Sequence, residues 1–269
     1  MREVPSWTCR RAFNGALLLL TLLFAGCHRS RPEEPPTIAA AADLQFALEE
    51  IADRFRRDTG RTVRLSFGSS GNAARQIEQG APFQLFLSAD EAFVRLLAQS
   101  GRTLDEGTLY ATGRIGIFVP AGSPLKADGT LQDLRAALEG ARVQSFAIAN
   151  PQHAPYGKRA QEALEKAGLW TAIRPRLVLG ENVVQAAQFA VSGNAQGSII
   201  AYSLASSPAF AGKGRFDLIP ESFHQPLRQR MVLLRGAGAT ARAFHAYLQQ
   251  PGARAILRRY GFLLPGERG

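Results

Sequence analysis

Cysteine is almost absent from this chain of 269 residues: Cys9 and Cys27 are the two present. Cys9 falls inside an N-terminal leader and Cys27 at its end, so the mature chain has no pair from which to build a disulfide framework. Stability must come from an apolar core, and 46% hydrophobic content supplies a large one, in one or two domains. Histidine is equally sparse. His28, His153, His224 and His245 show no HxxxH or HExxH spacing, and no cysteine supports them, which argues against a protein-ligated metal site. No apolar run reaches the ~20 residues of a bilayer span. The net charge of +10 is dispersed along the chain and not interleaved with aromatics. That argues against a nucleic-acid partner and leaves a general attraction for anions.

Enzyme motifs are missing too. RGAGATA (235–241) contains GxGxxA, yet it lies too near the C-terminus for a βαβ unit and reads as a tight turn into a helix. Gly157-Lys158-Arg159 lacks the earlier glycine and the Ser/Thr of a phosphate loop. Gly68-Ser69-Ser70-Gly71 is not the GxSxG elbow. A Ser70–His153–Asp43 triad can be drawn, giving a secreted serine hydrolase as the alternative from another class, but only geometry establishes a triad.

The N-terminus has the order of an export signal. Arg2, Arg10 and Arg11 precede an apolar stretch (12–24), closed by Ala25-Gly26. Gly26-Cys27 resembles a bacterial lipobox, with Phe24 where Leu is usual. The resemblance implies cleavage after residue 26, lipidation of Cys27 and a mature net charge of +8. Residues 27–36, charged and proline-rich, read as a tether.

From residue 37 strand-like and helix-like runs alternate, the pattern of α/β layers. Strands are expected near 37–41, 62–67, 84–88, 113–119, 143–149, 176–179, 197–201, 216–219 and 229–234. Helices are expected near 44–57, 72–79, 90–100, 131–139, 156–167, 183–192 and 240–260, the last interrupted at Pro251. Joins near 112 and 227 divide the chain into one lobe of 37–112 plus 228–269 and a second of 113–227. Two crossings of that kind give a hinge and an intervening cleft.

Four strand-to-helix junctions carry the functional reading: IAAAADLQFALEEI (38–51), LSFGSSGNAARQI (65–77), FAIANPQHAPYGKRAQEAL (146–164) and LVLGENVVQAAQFA (177–190). Each points a helix N-terminus, with unpaired N–H groups, towards the carboxyl ends of strands, where ligands of open α/β sheets sit. Lys and Arg are scarce in the turns. A pocket of neutral donors suits an anion that only accepts hydrogen bonds, such as sulfate, molybdate or tungstate. Monohydrogen phosphate carries a proton and wants an acceptor.

Five segments make the reading specific: AAAADLQFALEEIA (39–52), FGSSGNAARQIEQGAPFQLFLSAD (67–90), ANPQHAPYGKRAQEAL (149–164), GENVVQAA (180–187) and RRYGF (258–262). In order and spacing the chain resembles the periplasmic molybdate-binding proteins of ABC importers, the ModA family, over nearly all of 37–264. The resemblance implies a type II periplasmic-binding-protein fold, two α/β lobes joined by a two-strand hinge with the ligand cleft between them. It further implies an exported, periplasmic binding protein that is no enzyme and needs no cofactor. Its partners would be a small oxyanion, molybdate or tungstate, and a membrane permease. With the lipid anchor, a membrane-tethered monomer is expected.

Carried over by position, the ligand-contacting residues fall on Ala42 and Asp43, Ser70 (with Ser69 beside it), Tyr156 and Val183. A later tyrosine falls on Ala201 or Tyr202. Asp43 departs from the Ser, Thr or Asn common there. As an N-cap it would turn its oxygens to its own helix and leave its N–H for the ligand. Alternatively it accepts a proton from the ligand, favouring phosphate, or it binds in protonated form. Gln84 stands where the family often has Asp.

Overall fold

The computed structural model describes residues 1–3 and 34–267. Cys27 and residues 4–33 of the expected leader and tether lie outside them. In chain order, β1 (Thr37–Ala41) runs through a single 3-10 turn (Ala42–Leu44) into α1 (Gln45–Thr59). Then come β2 (Arg64–Gly68), α2 (Ser70–Glu78), β3 (Phe83–Ser88), α3 (Glu91–Gln99) and β4 (Thr108–Gly113). Next are β5 (Ile115–Pro120), α4 (Gln132–Glu139), β6 (Phe146–Ala149), α5 (Pro155–Lys166), α6 (Trp170–Ile173), β7 (Leu177–Gly180) and α7 (Val183–Val191). Last are β8 (Ser198–Ala201), α8 (Tyr202–Ala205), β9 (Gly214–Leu218), β10 (Leu227–Leu233), α9 (Ala239–Leu248) and α10 (Pro251–Arg259).

The strands form two five-stranded sheets, ordered β2-β1-β3-β10-β4 and β7-β6-β8-β5-β9. In the first, β1 runs parallel to β2 and β3, and β10 runs antiparallel to β3 and β4. In the second, β6 runs parallel to β7 and β8, and β5 antiparallel to β8 and β9. The inner parallel strands of the second sheet are short apolar runs buried along their length, FAIA in β6 and SIIA in β8, because helices cover both faces.

Helix α1 forms because Leu48, Ile51 and Phe55 recur on one stripe and all are buried. Phe55 meets Phe244 and Tyr247 edge-on, tying α1 to α9. Gly60, at φ +70°, ends the helix in the left-handed conformation that glycine adopts without strain.

One strand escaped the sequence pattern. The pattern places a strand near 113–119 and a join near 112; the structure has β5 there, adds β4 ahead of it, and separates the two at Arg114 into different sheets. The chain crosses there and returns through residues 219–226. Gly113 is needed at the first crossing: a Cβ on it would collide with the Tyr156 hydroxyl and the Gln229 amide. Across the cleft, Ala41, Ala42 and Ala89 of the first lobe share one apolar cluster with Ile148, Tyr156 and Val183 of the second. The two lobes are therefore packed against each other over the carboxyl ends of their parallel strands.

Candidate functional site

Between the lobes lies a tight pocket of about 10 Å3. Its walls come from the ends of β1 and β2 and the starts of α2, α5 and α7; Ala42, Asp43, Ser69, Ser70, Tyr156 and Val183 all line it. Six of the seven positions expected at the ligand are thus brought to one place. No Lys or Arg is among the lining residues.

Each junction delivers its donors for a local reason. Ser69 precedes α2 with extended backbone angles, and its side chain makes no capping bond. The first N–H groups of α2, beginning at Ser70, have no acceptor inside the helix. The Ser70 hydroxyl accepts the Ala89 N–H at 3.0 Å, and no acceptor takes its own proton among the described residues. Pro155 opens α5 at a position where its missing N–H costs nothing, leaving Tyr156 to carry the first amide hydrogen. At α7, Asn182 caps Val184 and Gln185 with its side-chain oxygen and leaves the Val183 N–H uncapped.

Asp43 behaves differently from the N-cap expected of it. It sits inside the 3-10 turn, buried, and caps neither that turn nor α1. Tyr156 from the second lobe donates its hydroxyl to Oδ2 at 2.9 Å, and Gln229 Nε2 donates to the same oxygen at 2.7 Å. Tyr110 in turn donates to Gln229 Oε1 at 2.7 Å. The other carboxyl oxygen, Oδ1, is buried with no partner. Burial lifts the Asp43 pKa from 3.8 to about 6, against the pull of its bonds from Gln229, Tyr156 and its own backbone N–H. The Tyr156 and Tyr110 hydroxyls are pushed well above their usual range, by burial first and by the Asp43 charge second, and stay neutral donors.

Tyr202 does not line the cavity. Its ring stacks on Phe216 at 5.4 Å, the Arg114 guanidinium lies 4.7 Å above it, and its N–H is taken by the Arg114 carbonyl. The segment reaches the site one residue later, where the Ser203 hydroxyl donates to the Asp43 carbonyl at 2.8 Å.

Around the cavity the lobes are latched. Ser69 and Asn72 donate to Glu181 Oε1 at 3.1 and 2.6 Å, and Gly71 N–H donates to the His153 carbonyl at 3.0 Å. A Cβ at position 71 would strike that carbonyl at 2.6 Å, so glycine permits the approach. Burial raises the Glu181 carboxyl, but bonds from Asn72, Asn182 and Ser69 outweigh it and hold the group below its ordinary range. Deeper in, Arg159 pairs with Asp90 across the cleft at 2.9 Å and with Glu162 on its own helix at 2.6 Å.

The triad drawn on the sequence does not form. It is Ser69, not Ser70, that meets His153 Nδ1, at 2.9 Å, and Ser69 donates its own proton to Glu181. Asp43 is occupied by Tyr156 and Gln229. Sequence reasoning overlooked Gln229, whose signal was present: β10 alternates, and Gln229 falls in the buried register of Leu227 and Met231, where a polar side chain is informative.

The model of the bacterial extracellular solute-binding proteins matches residues 36–263. The molybdate-binding protein ModA of Rhodobacter capsulatus is 34% identical over 230 residues, covering 84% of this chain and 86% of that protein. The Escherichia coli K12 protein of the same name is 34% identical over 235 residues, covering 85% and 88%. Among solved structures, the Azotobacter vinelandii periplasmic molybdate-binding protein superposes with a TM-score of 0.78 at 30% identity, over 86% of this chain and 99% of that one.

Proposed function

From the premise that this chain belongs to the bacterial extracellular solute-binding proteins and, within them, to the ModA family, we propose that it captures molybdate outside the cytoplasm and delivers it to the permease of an ABC importer. The observation that carries the reading is the cavity itself. Ser70 and the first residues of α2, α5 and α7 line one space whose walls hold no Lys or Arg. A charge-assisted hydrogen bond contributes ~1.5–3 kcal/mol, and a micromolar dissociation constant needs ~8 kcal/mol. A handful of such donors suffices even after the cost of closing the lobes.

Tungstate, of nearly the same size and charge, binds alongside molybdate, and the closed form is what docks on the permease. Such a receptor is expected to catalyse nothing, and this agrees with Ser70, whose hydroxyl donates to no acceptor among the described residues, and with Ser69, which donates to Glu181. Export is completed by lipidation of Cys27, which anchors a monomer to the membrane through the 27–36 tether; mass spectrometry of the mature N-terminus reads this directly, and an unmodified cysteine there refutes it. Calorimetric titration with molybdate, tungstate, sulfate and phosphate tests the ligand. Tight binding of the first two with little heat from the others is expected. Comparable heat from sulfate, or none from molybdate, contradicts the reading.

A further inference from the structure

Resting on that reading, we propose that the occupied site holds one proton between Asp43 Oδ1 and an oxygen of the bound anion, so that a fully deprotonated dianion is taken up together with a proton. The two oxygens of Asp43 are unequal. Oδ2 receives two donors, Tyr156 and Gln229, while Oδ1 is buried with no partner in a residue that lines the cavity. An ionised carboxylate beside a dianion, in a space without cations, is repulsive at short range and leaves Oδ1 facing another acceptor. The neutral acid removes both problems: Oδ1–H donates to the anion, and Oδ2 keeps its two bonds.

Among the described residues, the side chains bonded to Asp43 bring no positive charge to hold the carboxylate ionised. Tyr156 on α5 and Tyr110 on β4 are neutral, and Gln229 on β10 and Ser203 on α8 carry none. Arg159 on α5 is committed to Asp90 and Glu162, and Arg228 and Arg230 on β10 to Glu91. Arg114 binds the Gly261 carbonyl and covers Tyr202. Arg64 is exposed at the start of β2, at the opposite end of that strand from the cavity-lining Gly68. Glu181, just ahead of α7, is held by Ser69, Asn72 and Asn182. Burial has already brought the Asp43 pKa to about 6 without ligand. A dianion arriving next to it raises the value further, so at pH above 6 binding draws one proton from solvent. Affinity is then greatest below that pH and is lost as pH rises. An anion that brings its own proton, such as monohydrogen phosphate, would satisfy the ionised carboxylate with no net uptake.

The test is calorimetry of the full mature chain with sodium molybdate at pH 8, in Hepes, Pipes and Tris buffers of different ionisation enthalpy. The expected result is uptake of about one proton per anion, with the dissociation constant rising about tenfold per pH unit between 7 and 9 and levelling below about 6. In Asp43→Asn, whose amide donates at any pH, uptake falls to zero, the profile flattens, and affinity at pH 8 rises on the order of 100-fold. Molybdate binding by the wild type with heat independent of buffer overturns the proton proposal and leaves the capture reading standing. So does an Asp43→Asn protein that melts normally but binds more than about tenfold worse at pH 8, since that shows the carboxylate itself to be required. Absence of molybdate binding by the wild type at every pH defeats the capture reading and this proposal with it.

Discussion

Ser70 is the residue on which the anion account presses hardest. It is fully buried, its oxygen accepts the Ala89 N–H, and its proton points to no acceptor among the described residues. Ser70→Ala should weaken molybdate binding by roughly 10- to 100-fold, the value of one charge-assisted bond, and lower the melting temperature because the buried Ala89 N–H loses its acceptor. Titration of the folded variant checks this, and an unchanged dissociation constant would mean that the hydroxyl does not reach the ligand. The sequence showed Ser70, Tyr156 and Val183 because each sits at a junction whose chemistry is local, a few residues of strand, small residue and helix start. It did not show what Asp43 does. The partners of Asp43 lie 113 and 186 positions away, at Tyr156 and Gln229, and no local pattern announces bonds of that separation. Tyr202 misled for the reverse reason. A tyrosine at the right place in the chain is claimed by Phe216 and Arg114, which pattern matching does not weigh.

At the level of elements, residues at the helix starts also latch the lobes together. α2 and α7 meet through Asn72 and Glu181, and α5 reaches the cap of α3 through Arg159 and Asp90. Asp90 also accepts the Ala92 N–H with its other oxygen, so the same carboxylate starts α3 and clasps the opposite lobe. Both groups are largely buried, and removing one partner of such a pair leaves a charge uncompensated. Arg159→Ala should therefore open the closed form more readily and speed molybdate release at least tenfold in stopped-flow measurements, with the association rate little altered. An unchanged release rate would show that closure is held elsewhere. The longer helices and the buried strands were legible from period and length, whereas the single turns α6 and α8 are too short to show a period. β4 was not legible: the join near 112 falls at its end, but the strand ahead of that join went unread; at the crossing a Cβ on Gly113 would meet Tyr156 and Gln229.

For the whole molecule, the two sheets face each other with the carboxyl ends of their parallel strands, and among the described residues the chain passes between them at Arg114 and through residues 219–226. The dispersed positive charge, +10 over the full chain, draws anions towards that gap without placing a cation inside it. Selection would then rest on cavity size and on the balance of donors to acceptors, with Asp43 turning from acceptor to donor when it takes up a proton. The central claim is that neutral hydrogens from both lobes surround one oxyanion. Its most direct test is a crystal of the protein grown with molybdate and measured for anomalous scattering by molybdenum. The account predicts one strong peak between the lobes, its oxygens within hydrogen-bonding distance of the Ser70 hydroxyl and the Tyr156 and Val183 amides. A peak elsewhere, or an empty cleft in crystals saturated with molybdate, would contradict it.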